Sequence, residues 1–329
     1  MMTIVLGLRS NSVGEDTEHY VDIFEKSVNI EWVEIFTKLR IVWRVDGKFQ
    51  DTIENGFLFI AKLVHLFTNS PQAFLMIIAV LTMGCFGKFI YDNSVNVFLS
   101  TYVLMCECLY MSAFNGARQI LALSIGINAF TLIRKKKVKS GIAIILLASL
   151  IHNSAIIYFL MIPFVILKSE NIIRIYKKFK YVIIGCILVP CFLPLVNLLF
   201  TYFLPRYSSY FSNNYWSINI GGTMVLWILE LLLILMLYRY HFRECDSFEL
   251  AALVMIYLML EVVSFQYSAF SRVAWYYRGF LILFFPAAIK GLRKGSNRKV
   301  LTYLLLTLLT LAFLSYARVD SRTYSFLLQ

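Results

Sequence analysis

The chain has 329 residues, of which 60% are hydrophobic, 16% aromatic and only 15% charged, with a mean hydropathy of +0.72. Apolar runs near the ~20 residues needed to cross a bilayer recur along the whole length. They exclude an ordinary soluble protein and read as an all-α, polytopic integral membrane protein of about 10–11 transmembrane helices. The net charge of +12 follows membrane topology rather than a nucleic-acid face, and neither a Walker-type phosphate loop nor zinc-finger spacing occurs.

In chain order, "MMTIVLGL" (1–8) is too short to cross ~30 Å of hydrocarbon and reads as an incomplete first span or a shallow segment. It lacks the basic start and cleavage site of a secretory signal. Residues 9–54 read as an outer loop in which acids outnumber bases. "NGFLFIAKLVHLF" (55–67) puts Phe57, Ile60, Val64 and Phe67 on one helical stripe, with Lys62, His65 and Asn69 off it. Residues 55–69 are therefore expected to form an interfacial helix on the outer surface. Spans follow at roughly 71–90, 95–113, 117–133, 140–154, 155–167, 181–200, 223–238, 249–265, 273–289 and 300–317, and 318–329 is an outer tail. The whole of 1–329 reads as a single membrane domain with no separate soluble part.

Basic clusters orient these spans. Arg134 to Lys139, Lys168 to Lys180, Arg239 with Arg243, and Lys290 to Lys299 fall on one side when 140–167 is counted as two passes. The positive-inside rule makes that side cytoplasmic. His152, the lone readily charged side chain between Gly141 and Leu167, then sits near the outer turn of a hairpin. An imidazole in hydrocarbon would lose water without compensation, so a polar cavity at the outer surface is the natural place for it.

The cysteines Cys85, Cys106, Cys108, Cys186 and Cys191 lie in apolar runs, and Cys245 does not. They read as packing residues, with no disulfide framework and no structural metal expected. Glu107, Glu230 and Glu261 fall inside spans and are weaker candidates for a proton relay.

Several polar stretches share the outer face. They supply Arg9, Asp16 and Tyr20 from "GLRSNSVGEDTEHY", Glu54 from "TIENGF", and Asn115, Arg118 and Gln119 from "AFNGARQILA". "FSRVAWYYRGF" adds Arg272, Tyr276, Tyr277 and Arg278, and His152 joins from its turn. Singly, each has a bland reading as a snorkelling arginine, a belt tyrosine, a packing histidine or a solvated acid. Together they place outer-face arginines beside a histidine and carboxylates, against the charge bias of the other loops. The planar guanidinium fork suits phosphate oxygens, so a phosphorylated or pyrophosphorylated substrate fits the set.

These stretches also carry a resemblance. "RSNSVGEDTEHY" resembles the R-x(n)-G-x-D-x(3)-Y signature of the EpsG/Wzy family of bacterial polysaccharide polymerases, which make O-antigen, capsule or exopolysaccharide. "ENGF", "NGARQILALSI", "LIHNSAIIY" and "SRVAWYYRGF" are similar to its later elements, in family order from Arg9 to about Pro286. The resemblance implies a GT-C-like membrane glycosyltransferase that needs no metal or other cofactor. It would join oligosaccharide units carried on undecaprenyl pyrophosphate at the outer face of the plasma membrane.

In that scheme His152 is the general base, with Asp16 or Glu54 as rival base or as orienting group. Arg118, Arg272 and Arg278 take the pyrophosphate. Arg9 and Tyr20 position the sugar or brace the loop, with Asn115, Gln119 and Tyr276 beside the substrate. Membrane lipid, a chain-length regulator and a flippase are the candidate partners, and no nucleic acid is expected. A lipid-linked oligosaccharide transporter, a membrane acyltransferase and a non-catalytic scaffold remain alternatives. The aromatic loop 206–216 is a further candidate glycan contact.

Overall fold

A computed structural model of the chain describes residues 1–37, 41–45, 48–107, 109–166, 248–264, 269–292 and 295–319. The expected spans at 181–200 and 223–238, Glu230, Cys108, Cys186, Cys191, Cys245, the 206–216 loop and most of the outer tail lie outside the described residues. The chain divides into two compact units, one of Met1–Asn93 and Leu104–Phe159 with the end of the last helix, the other of Ser94–Val103 and Leu160–Ser315.

The first unit begins with α1 (Met2–Gly7), α2 (Thr17–Lys26), a 3-10 turn (Ser27–Asn29) and α3 (Trp32–Thr37). An antiparallel hairpin follows, with β1 (Ile41–Val45) paired to β2 (Lys48–Ile53) and a register shift between Trp43 and Arg44. This hairpin is the one departure from an all-α architecture among the described residues. Its sequence "IVWRV…KFQDTI" is rich in β-branched and aromatic residues, a local preference hidden within what reads as a loop.

Then come α4 (Asn55–His65) and α5 (Pro71–Asn93). Pro71 suits a first helical position, where no amide donor is needed, and the Ser70 hydroxyl accepts the Ala73 amide at 3.4 Å. The helix α5 is long and apolar enough to cross a membrane, with Val80 and Leu81 exposed on its outer face. A second crossing arises if α6 (Val97–Cys106) and α7 (Leu109–Asn115) form one bent span.

The expected span at 117–133 is realised as α8 (Ala117–Gly126) and α9 (Ala129–Arg134) with a break between them. Asn128 repairs this break by donating to the carbonyls of Ser124 at 2.8 Å and of Cys85 on α5 at 3.0 Å. The turn to α10 (Val138–Ile151) exposes Arg134 to Lys137, with Lys136 at φ 58°.

The chain leaves α10 at His152, whose backbone is extended, and continues as a 3-10 helix over Asn153–Leu160. A side-chain carbon built on Gly126 would meet Ala148 Cβ at 3.3 Å and the Tyr158 ring at 2.6 Å. Both arms therefore pass the same point on α8, and His152 stands at the turn of a hairpin, as the charge pattern requires.

Phe24, Phe57 and Phe74 form the junction of α2, α4 and α5. Phe24 stacks on Phe74 at 4.8 Å, and Phe57 meets Phe74 edge-on at 5.8 Å. The stripe read from the sequence is divided between the buried and exposed faces of α4. Phe57 and Val64 of the sequence stripe point into protein, while Phe59, Leu63, Leu66 and Phe67 form the exposed apolar face. Lys62, placed off the stripe, is buried. It donates to the carbonyls of Ser27 and Val28 at 3.3 Å each and to that of Ile30, and lies 5.2 Å from the Trp32 ring centre. At eleven residues α4 is too short to span a bilayer.

In the second unit, α11 (Met161–Ile166) and α12 (Phe248–Ser264) are followed by α13 (Ala269–Arg278), α14 (Leu281–Gly291) and α15 (Ser296–Val319). Ser100 donates to the Ile282 carbonyl at 2.7 Å, tying the start of α6 to α14. Tyr276, Tyr277, Phe280 and Phe285 are fully buried within this unit.

Candidate functional site

The first unit gathers most of the polar residues singled out in the sequence at one corner, where α7 turns into α8. Gly14 sits at φ +89°, where a side-chain carbon would lie 2.2 Å from the Phe114 carbonyl oxygen. Only glycine takes both that left-handed backbone and that approach at little cost. Beside it, the Glu15 amide donates to Asn115 Oδ1 at 3.0 Å, and the Tyr20 hydroxyl donates to the Asn115 carbonyl at 3.2 Å. Thr17 caps Val13 O at 2.6 Å and receives the Arg9 Nε–H at 3.2 Å. Arg9 also donates to Leu6 O at 2.8 Å and lies over the Phe114 ring at 5.6 Å, with 1% of its surface exposed. The first motif thus works as a stitch that fastens the loop to the α7–α8 corner. Arg9 and Tyr20 are its buried pins.

Glu54 is the centre of the site. It precedes α4 in extended conformation, and its carbonyl accepts the Phe57 and Leu58 amides, opening the helix. Its carboxylate is thereby free of capping duty. Oε2 accepts Arg118 Nη1–H at 3.0 Å. Oε1 accepts the Asn153 amide at 3.3 Å and lies 2.9 Å from His152 Nδ1. That last contact is ion-pair close but off the line of an aligned hydrogen bond. The acid is nearly buried, with 9% of its side chain exposed, against 13% for Arg118 and 27% for His152.

Burial pushes the Glu54 carboxyl upward, but His152 and Arg118 together outweigh it and hold the group below the ordinary carboxylate range. The Arg118 guanidinium also lies 5.9 Å from the centre of the Tyr20 ring. Burial, reinforced by the Asp16 charge and opposed by Arg118, pushes the Tyr20 hydroxyl up to about 12, so it stays a protonated donor.

Glu54, Arg118 and His152 therefore meet directly, with Tyr20 and Asn115 behind them. Asp16 immediately precedes α2 without a side-chain cap, and its Oδ2 accepts the Tyr20 hydroxyl at 3.4 Å. Gln119 is buried in the first turn of α8. Arg272 is exposed on α13 of the second unit; there Tyr276 is buried and Arg278 lies over the Tyr257 ring at 5.8 Å. Sequence reading met Gly56 within "ENGF" but not its approach to Leu150 and Ile151, and it passed over Thr17, whose hydroxyl also lies 3.3 Å from Phe114 O. Among the described residues no group of three or more His, Cys, Asp or Glu is placed to hold a metal ion.

Among the described residues one helix, or two if the bent pair is one span, is long and apolar enough to cross a membrane. The class so defined is a helical protein in which one carboxylate grips an arginine and a histidine. The EpsG family model matches residues 1–328, and the chain belongs to that family, one of Wzy-like polysaccharide polymerases. No curated protein and no solved structure matches the chain.

Proposed function

We propose that the protein joins oligosaccharide repeat units carried on undecaprenyl pyrophosphate into a surface polysaccharide at the outer face of the plasma membrane. The observation that carries this reading is the Glu54 carboxylate held between Arg118 and His152. A carboxylate kept below its ordinary range is a poor proton acceptor, which favours Glu54 as the orienting group over Glu54 as the base. With Glu54 at Nδ1, the remaining nitrogen of His152, Nε2, is the one that takes the proton of the acceptor hydroxyl.

The deprotonated sugar oxygen attacks the anomeric carbon of the growing chain. The bond to pyrophosphate breaks, its electron pair leaves with the pyrophosphate, and the anomeric centre inverts. Arg118 stabilises the charge that develops on the leaving group, in a metal-independent transfer. Arg272 and Arg278 of the second unit are assigned anion contacts on the charge pattern of the sequence, and Arg272 also on the family resemblance. The leaving group is already activated, so no nucleotide sugar is needed outside the cell.

The test is a deletion strain complemented with wild type or His152→Ala, with surface and lipid-linked glycans read as a gel ladder. Loss of the ladder to single repeat units at normal protein level supports the reading. Absence of units from the outer face would indicate a transporter, and full-length polymer lacking a substituent would indicate an acyltransferase. A ladder that survives the deletion itself would overturn polymerisation.

A further inference from the structure

We infer that Gly56 is a positioning residue, setting the distance between Glu54 and His152 through a backbone crossing of α4 and α10. The inference rests on the reading of His152 as the base. A side-chain carbon at Gly56 would lie 2.6 Å from both the carbonyl carbon and the oxygen of Leu150, and 3.0 Å from the Ile151 amide nitrogen. All are main-chain atoms of α10, and main chain inside a helix does not swing aside as a long side chain does. The crossing is therefore as close as two backbones allow at that point. Gly56 is two residues after Glu54, and Leu150 and Ile151 immediately precede His152.

The same crossing lets a single carboxylate oxygen reach both the Asn153 amide at 3.3 Å and His152 Nδ1 at 2.9 Å. Any residue larger than glycine must lift the first turn of α4 from the end of α10. Because Glu54 also holds Arg118 on α8, the lift pulls the carboxylate off the histidine and leaves it with the arginine. Gly56 touches no reacting group itself, and its effect passes entirely through the Glu54–His152 contact.

Two readouts test this, one independent of catalysis. The full-length protein is labelled with ¹⁵N-histidine in detergent, and the His152 signal is assigned by its loss in His152→Ala. Gly56→Ala should shift that signal to its Glu54→Gln position, because both variants remove the carboxylate from Nδ1. The polymer yield of Gly56→Ala should fall about 10²-fold, the scale expected for a misplaced catalytic group. Adding Gly56→Ala to Glu54→Gln should cost little more, since a residue acting only through a contact has no effect once the contact is gone.

Gly141→Ala, which crowds the Ile133 side chain at the far end of α10, is the matched control and should leave the His152 signal where it is. If Gly56→Ala does not accumulate, Glu54→Asp withdraws the carboxylate from the same crossing without crowding it. It must then give the same His152 shift. An unmoved His152 signal or a wild-type ladder in Gly56→Ala would overturn the inference, as would full additivity with Glu54→Gln. A wild-type ladder in His152→Ala would instead sink the catalytic reading beneath it, so the two failures are told apart.

Discussion

At the scale of single residues, the chemistry turns on which of two neighbouring groups holds the proton. The Glu54 carboxyl is held below its ordinary range by His152 and Arg118 against its own burial. A depressed folded-state value means that the ionised contact stabilises the fold fully above the unfolded carboxylate value. That contribution is lost as pH falls through the lower folded value. Glu54 therefore contributes no titration step to polymer synthesis between about pH 5 and about pH 8. Hydrogen exchange of the peptide covering Ile151–Asn153 should accelerate only in more acidic solution, and Glu54→Gln should abolish that acid step. An acid step surviving in Glu54→Gln would assign the loosening to another group. Removing the base has a separate signature. His152→Ala should lower polymer formation by about 10²–10⁴-fold, the ordinary contribution of general acid–base catalysis, with membrane protein levels unchanged.

At the scale of elements, α4 acts as a lever with its acid at one end and a buried lysine in its last turn. Lys62 donates to the carbonyls of Ser27, Val28 and Ile30, and so gathers the carbonyl-rich end of α2 and the 3-10 turn. Lys62→Met keeps the aliphatic bulk but takes the charged donor from those acceptors and leaves the Ser27 carbonyl only the Ile30 amide, at a cost of roughly 1–3 kcal/mol. Thermal unfolding in detergent should show the loss, and an unchanged midpoint would mean that the carbonyls find other partners. The opposite face of the lever is apolar. Phe36 of α3 is 72% exposed and Phe67, just beyond α4, 83%, a surface that water tolerates poorly and a lipid leaflet accepts. In a variant that keeps Trp32 as its sole tryptophan, brominated lipid chains should quench its fluorescence. Phe36→Asp should relieve that quenching. Quenching by a soluble agent alone would put α3 in water.

At the scale of the whole molecule, much was legible in the sequence because membrane insertion is written in local composition. Charge bias and span length placed the turn at His152, and the structure puts both arms of that turn against Gly126. The convergence on Glu54 was not legible, since its contacts reach 64 residues forward to Arg118 and 99 to Asn153. No local pattern encodes a close approach such as that of Gly56. The inward face of α4 was not legible either, because Phe57 and Phe59 are equally apolar, and only the packing of Phe24 and Phe74 decides which of them is buried.

Span length also bears on where the site lies. The fourteen residues of α10 rise about 21 Å, against a hydrocarbon thickness of ~30 Å. In the proposed orientation, which puts the lysines of the α9–α10 turn at the cytoplasmic surface, His152 lies below the outer headgroups rather than above them. That is the depth at which the pyrophosphate of a lipid-linked sugar would meet it without leaving the membrane plane. Single cysteines in a cysteine-free background test this placement. An impermeant thiol reagent added outside intact cells should label Asn153→Cys, and should do so more slowly than a cysteine in the 9–54 loop. Lys136→Cys and Lys168→Cys should react only after the membrane is opened. Labelling of Lys168→Cys from outside would make 140–167 a single pass. The basic clusters before and after it would then face opposite sides, and the histidine would lose its place at an outward turn.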